Sequence, residues 1–521
     1  YATFDSEIKQ HKVFGIMFAV VFVLIALLGI ITTMARVTAN QRTQIGTLKA
    51  LGFSKRAITW HYVSYGFVIS LVGSLCGALL GVLTLPPWIL GMFEGAYILP
   101  GLKGHVSTES LLVLAASVLV STLVSYLSCR KELIEPPAVT LRPKAAKKIK
   151  TSLFEKSIIW RMLNFSTQWN IRDVSRNKIR SLMGIIGVLG CAMLLLTGFG
   201  CLDSTNGMID TMYGQLMTAN NKVVFSSDAG YDFAYDFSKK YKGQMIEEVS
   251  VEFVSTTQKK NGSATIIDKG NYVNFQDKNH NNIKLTKTGI AMSYKMAQNL
   301  NVKQGDFVSW HIVGDDKWQK TRIAQIYRDP SVQGIAMKRD VFESLEYDFI
   351  PTGVLTNKSV DKSLTDEEEI STILNITDMK ATFSKTMEMM YSMIFIMIFA
   401  ATLLGFIVLY NLGVLSFVEK TREVATLKVL GFSSSKIRGI LQKQNIWLTC
   451  IGIVFGIFAG IFVLVAMCSA VSESLDLFPV VSIPTYIYTV IGTFLVSIAV
   501  NFMFSGKVKT IDMVDALKGV E

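Results

Sequence analysis

The octapeptide TLKALGFS at Thr47–Ser54 returns as TLKVLGFS at Thr426–Ser433, a constant 379 residues later, and each copy lies between two apolar stretches. The same offset carries Ala2-Thr3-Phe4 onto Ala381-Thr382-Phe383. It also carries Gly73, Gly77 and Gly81 onto Gly452, Gly456 and Gly460. Farther along the register slips by two or three residues, where Ile134-Glu135 and Leu141-Arg142 answer Ile511-Asp512 and Leu517-Lys518. Solenoid repeats have periods of about 20–50 residues. A period this long, enclosing several apolar stretches, is a membrane module written twice in one chain.

Half of the 521 residues are hydrophobic and the mean hydropathy is +0.38, which places the chain in the membrane class. A helix needs about 20 mostly apolar residues to cross the hydrocarbon core. Seven stretches qualify, near 13–35, 61–85, 109–128, 181–202, 388–412, 444–469 and 485–505. Residues 203–385 form a polar segment long enough to be an ectodomain. It holds 22 Lys and Arg against 24 Asp and Glu, leaving 30 against 16 in the remainder. The basic surplus gathers at Arg36–Arg56, Arg130–Arg180 and Lys420–Lys443, so these loops are expected in the cytoplasm and the polar segment outside. That distribution reads as topology determinants and lipid-headgroup contacts, not as a nucleic-acid surface. Seven spans with an inner C-terminus would put Tyr1 outside with no translocation signal before it. With the repeat, this gives the expectation of a longer polypeptide with eight spans and two ectodomains.

No catalytic or metal constellation is expected. The six cysteines lie in or beside apolar spans, the five histidines are scattered, and no nucleophile or zinc motif stands in a suitable context. The spans carry no ionisable residue in their central regions, which argues against ion-coupled transport. A phosphate-binding P-loop is also missing from the sequence. ATP, if used, is hydrolysed by another polypeptide.

The loop Arg36–Ile58 reads as two short helices. Gly52 serves as a left-handed residue after the first, and Ser54 as N-cap of the second. Gly431 and Ser433 repeat that punctuation. One copy would be explained by an interfacial helix held by Lys49 or Lys428 among lipid phosphates. Two copies point to a rigid knob that docks a partner. Its residues are Thr47, Leu48, Lys49, Leu51 and Gly52, with Thr426, Leu427, Lys428, Leu430 and Gly431. The glycine triplets Gly73/Gly77/Gly81 and Gly452/Gly456/Gly460 place small residues on one helix face, where another helix can approach closely. In the ectodomain, Lys222–Phe225 and Phe307–Ile312 alternate as strands. A helix follows at Tyr294–Leu300, then a turn at Gln304-Gly305-Asp306. Thr365 with Glu368 fits a capping box opening a helix through Leu374. Asp366–Glu369 then reads as a helix N-terminus and not as a cation site.

The chain resembles the FtsX/MacB-like (type VII) ABC transporter permeases. The resemblance rests on Arg42–Gly52, on Arg422 with Val424–Gly431, and on Asn170–Ser181 with its Arg176-Asn177-Lys178-Ile179-Arg180 element. The endings Pro136–Arg142 and Asp512–Lys518 and, more loosely, Gly289–Phe307 add to it. It implies an α-helical polytopic membrane protein with an α+β extracytoplasmic domain and both permease halves fused. The implied organisation is 1–143 (three spans of the first module), 144–180 (linker and amphipathic helix) and 181–202 (a span). The ectodomain follows at 203–385 and the second module at 386–521. It further implies a non-catalytic subunit in a bacterial cell membrane, docking two copies of a cytoplasmic ATPase that binds ATP and Mg. Ectodomain movement would act on peptides, lipoproteins or envelope factors, with an extracytoplasmic accessory or substrate protein as a further partner. The competing reading is a membrane-anchored receptor or adhesion protein without ATP coupling.

Overall fold

The computed structural model describes residues 41–96, 108–133, 136, 163–176, 178–254, 259–470 and 475–507, with scattered positions between 12 and 38. The described positions between 12 and 38 are helical. Two compact units are present. One comprises Gly200–Ile394 with Leu464–Ser482, and the other Met17–Phe199 with Phe395–Val463 and Ile483–Glu521.

In chain order, α1 (Arg42–Ala50) leads through a glycine turn into α2 (Lys55–Ala96), followed by α3 (Thr108–Leu133), α4 (Phe165–Arg176) and α5 (Lys178–Asp210). A π-helical turn, Thr211–Leu216, ends α5. Helix α5 is central. In its most apolar stretch 67% of residues are buried, against 0% for Lys55–Trp88.

The strands of the α+β domain are β1 (Asn221–Phe225), β2 (Gln244–Val254), β3 (Lys259–Ile267), β4 (Phe275–Gln276), β5 (Asn282–Ile283), β6 (Ile290–Ser293), β7 (Phe307–Ile312), β8 (Gln319–Tyr327), β9 (Gly334–Lys338), β10 (Gly353–Thr356) and β11 (Ile370–Asn375). Between them run α6 (Tyr231–Tyr241), α7 (Tyr294–Leu300), α8 (Arg339–Glu343) and, after β11, α9 (Ile376–Thr386). The nine-stranded sheet has the order β11-β1-β10-β2-β3-β9-β6-β8-β7, and β7 pairs back onto β2. Strands β2, β3, β9, β6, β8 and β7 therefore close a ring, which removes their free edges. Val251, Phe253, Ile266, Met292, Trp310 and Ile335 fill it, each fully buried. Trp310 Nε1 donates to Thr321 Oγ1 at 2.9 Å, satisfying a polar group that burial would otherwise penalise.

One local expectation is overturned. No helix opens at Thr365. Lys362–Asp366 is a 3₁₀ turn capped by Asp361, whose side chain accepts from Ser363 N, and Ile370–Asn375 is a strand. Pairing of β11 with β1, from Asn221↔Asn375 to Phe225↔Ile370, outweighs the capping signal, because Ile-Ser-Thr-Ile suits a pleated, half-buried surface. The helix begins later. Asn375 caps α9 by accepting from Thr377 N and Asp378 N. Among the described residues no cluster of His, Cys, Asp and Glu could hold a metal.

Three long helices complete the chain: α10 (Glu388–Val429), α11 (Ser434–Ala470) and α12 (Ile483–Lys507). Six described helical segments are long and apolar enough to span: Lys55–Trp88, Ser110–Leu127, Ser181–Leu216, Met390–Tyr410, Ser434–Ser469 and Ile483–Met503. The protein is thus a polytopic membrane protein with an α+β domain. Ten residues of the stretch at 13–35, the linker 144–150 and the endings 137–142 and 512–518 lie outside the described residues.

Candidate functional site

Each copy of the repeated octapeptide folds into the same helix stop. After α1, Phe53 N donates to Leu48 O at 3.1 Å and Gly52 N to Lys49 O at 3.2 Å. After α10, Phe432 N donates to Leu427 O and Gly431 N to Lys428 O, both at 3.0 Å. Gly52 and Gly431 have φ of +88° and +85°. This is a Schellman-type ending in a region that side chains with a Cβ rarely adopt. Ser54 Oγ then accepts from Ala57 N at 3.2 Å and Ser433 Oγ from Lys436 N at 3.4 Å, capping the helices that follow.

Burial repeats along with the backbone. Ile45, Ile58 and Leu48 pack with Tyr62 and Cys129. At the same offset, Val424, Ile437 and Leu427 pack with Trp169 and Phe432. Leu51 and Leu430 are left 71% and 68% exposed. Phe53 and Val429 are exposed beside them, at 56% and 61%.

Leu48, half-buried, and Leu427, only 7% exposed, hold each turn onto its own module, while Leu51 and Leu430 stay open to solvent. The cause is helix length. Helices α1 and α10 end one residue before Leu51 and Leu430, so these leucines project past the last turn. The second knob is also no separate short helix. Helix α10 runs unbroken for 42 residues, about 63 Å at 1.5 Å per residue, because residues 414–429 contain neither Gly nor Pro. Thr47 and Thr426 are exposed and Lys49 and Lys428 half-exposed on the same turns.

Helix α4 buttresses the second turn. Asn170 Nδ2 donates to Ile440 O at 3.2 Å, and Gln444 Nε2 donates to Asp173 Oδ2 at 2.8 Å. Phe165 stacks on Phe432 at 6.2 Å. Sequence reading noticed the basic residues of this segment and missed its buried polar face, Asn170 and Asp173, three residues apart on one helix face.

The glycine triplets behave differently from one another. A Cβ at Gly452 would fall 2.6 Å from Val188 Cβ, and at Gly460 3.0 Å from Leu196 Cβ. That face of α11 lies directly on α5. Gly73, Gly77 and Gly81 meet no described atom within 4 Å. Their expected packing role is therefore not realised within the described chain.

Residues 16–135 and, separately, 395–511 match the family described as FtsX-like permease, C-terminal. Both segments are thus similar to the FtsX-like permeases. Each contains one of the glycine turns, and the α+β domain lies outside both. No curated protein matches the chain.

Proposed function

We propose that this chain is an FtsX-like permease, the membrane subunit of an ATP-driven system in a bacterial cell membrane, with two cytoplasmic ATPase subunits docking on its two glycine turns. Supporting this is one observation above others. The same solvent-facing leucine, on the same αL-glycine stop, occurs twice at 379 residues' separation. A receptor that merely anchors an ectodomain has no use for two such turns. Burying an exposed leucine contributes about 1.5–3 kcal/mol, roughly a tenfold change in affinity or more. ATP and Mg would be bound by the partner, and its cycle would move the ectodomain against a peptide, lipoprotein or envelope factor. Affinity purification of the full chain from its native membranes tests the reading. An ATPase should accompany the wild type and be lost from the Leu51→Ala/Leu430→Ala variant. Equal recovery of an ATPase with both would remove these leucines from the docking site, and recovery of none with either would favour the receptor reading.

A further inference from the structure

Helix α11 has no covalent link of its own to the ectodomain; after it, residues 475–482 lead on into α12. Yet this short segment is fastened at both ends. Asp476 Oδ2 lies 3.1 Å from Arg328 Nε, with side-chain exposures of 7% and 16%. Its backbone N–H donates to Pro330 O at 3.0 Å. Phe478 is buried and packs on His280 at 4.5 Å. The Arg328 guanidinium lies over Tyr294 at 4.7 Å and Phe478 at 5.8 Å. Just before the segment, buried Lys295, in α7, donates from Nζ to Ser469 O at the end of α11, at 3.0 Å. At the other end, Val480 N donates to Ser204 Oγ at 3.0 Å and Ser482 N to Asp203 Oδ2 at 2.7 Å, both on α5.

We infer that Arg328, Lys295 and Asp476 are positioning residues of a joint that makes the outer end of α11, segment 475–482 and the ectodomain ring yield together. A covalent route from span to ectodomain already exists through α5 and through α9. The joint adds a non-covalent route for a helix that lacks one. Its chemistry suits that role. Burial pushes the Asp476 carboxyl up, and Arg328, Lys295 and His280 oppose the shift, with buried Asp329 close by. Removing either charge leaves the other buried without its ion-pair partner, so the contact should hold or release as a unit instead of sliding. The inference rests on the coupling reading above for its purpose, but its test needs no ATPase.

Hydrogen exchange on the full chain in lipid nanodiscs reads the joint directly, because exchange reports local opening. Asp476→Asn and Arg328→Gln should each raise exchange by roughly tenfold in 475–482 and also in residues 290–300 and 464–470. The core of β2 should stay protected, which excludes global unfolding. Lys295→Met should loosen the same three stretches from the other contact. Arg328→Lys, which keeps the charge, should restore most of the protection. Faster exchange confined to 475–482, or none at all, would overturn the joint. Should Asp476→Asn fail to insert, the Lys295→Met and Arg328→Lys pair decides the matter alone. Failure of the wild-type chain to recover an ATPase, with exchange coupling intact, would instead count against the proposed function.

Discussion

Gly456 sits on Ala192 so closely that a Cβ on the glycine would fall 2.6 Å from the alanine Cβ, with Leu189 O only 2.9 Å away. Its repeat partner, Gly77, meets no described atom within 4 Å. The two positions should therefore respond differently to the same change. Gly456→Leu must displace backbone and is expected to cost at least the 1–3 kcal/mol typical of overpacking, read as a lower melting temperature of the purified chain. Gly77→Leu should leave the melting temperature of that chain within about a degree or two. Equal destabilisation would mean that Gly77 is packed after all.

The leucines of the glycine turns separate stability from docking. Leu427→Ala empties a site shared with Val424 and Ile437 and should destabilise by about 2–5 kcal/mol. Leu430→Ala, at a 68% exposed position, should alter stability by no more than about 0.5 kcal/mol. It should still reduce ATPase recovery, and more so when combined with Leu51→Ala. Thermal melting and co-purification of the same samples test both halves of this statement.

Much of this site was legible in the sequence, and the part that was not has a physical cause. Gly52, Gly431, Ser54 and Ser433 act within one or two turns of chain, so their roles follow from local backbone chemistry alone. Which leucine faces outward depends on where α1 and α10 end and on what Ile58 and Ile437 cover, which is tertiary information. Thr365 and Glu368 show the converse. A valid capping signal lost to strand pairing with residues some 145 positions earlier. Arg328 and Asp476 are 148 positions apart, and neither carries a motif that would connect them.

Topology follows from the charge split. In a variant whose six native cysteines are replaced, Asn261→Cys should react with a membrane-impermeant maleimide on intact cells, and Lys428→Cys only after permeabilisation. Labelling of position 428 from outside would reverse the orientation.

The stability of the α+β domain should fall as pH rises from about 4.3 towards neutrality. Glu247 is 5% exposed, and burial pushes its carboxyl up to about 7, opposed by the Ile350 N–H that donates to Oε2 at 3.0 Å. A carboxyl raised on folding stabilises fully below its unfolded pKa of about 4.3, and that contribution is lost as pH climbs through about 7. The span of the effect is at most about 4 kcal/mol. Glu247→Gln should flatten the melting temperature between pH 5 and pH 8, and an unchanged slope would remove Glu247 as its source.

The two chain crossings into the α+β domain arrive on neighbouring strands: β1 follows α5, β11 precedes α9, and Asn221 faces Asn375 at their shared end. Force that spreads these two entry points would meet the ladder end-on and open it one rung at a time, the geometry in which a sheet resists least. Force that lifts both together would load no rung between them. Under the proposed function, the sheet would therefore follow α5 and α9 moving in step and fray where they part.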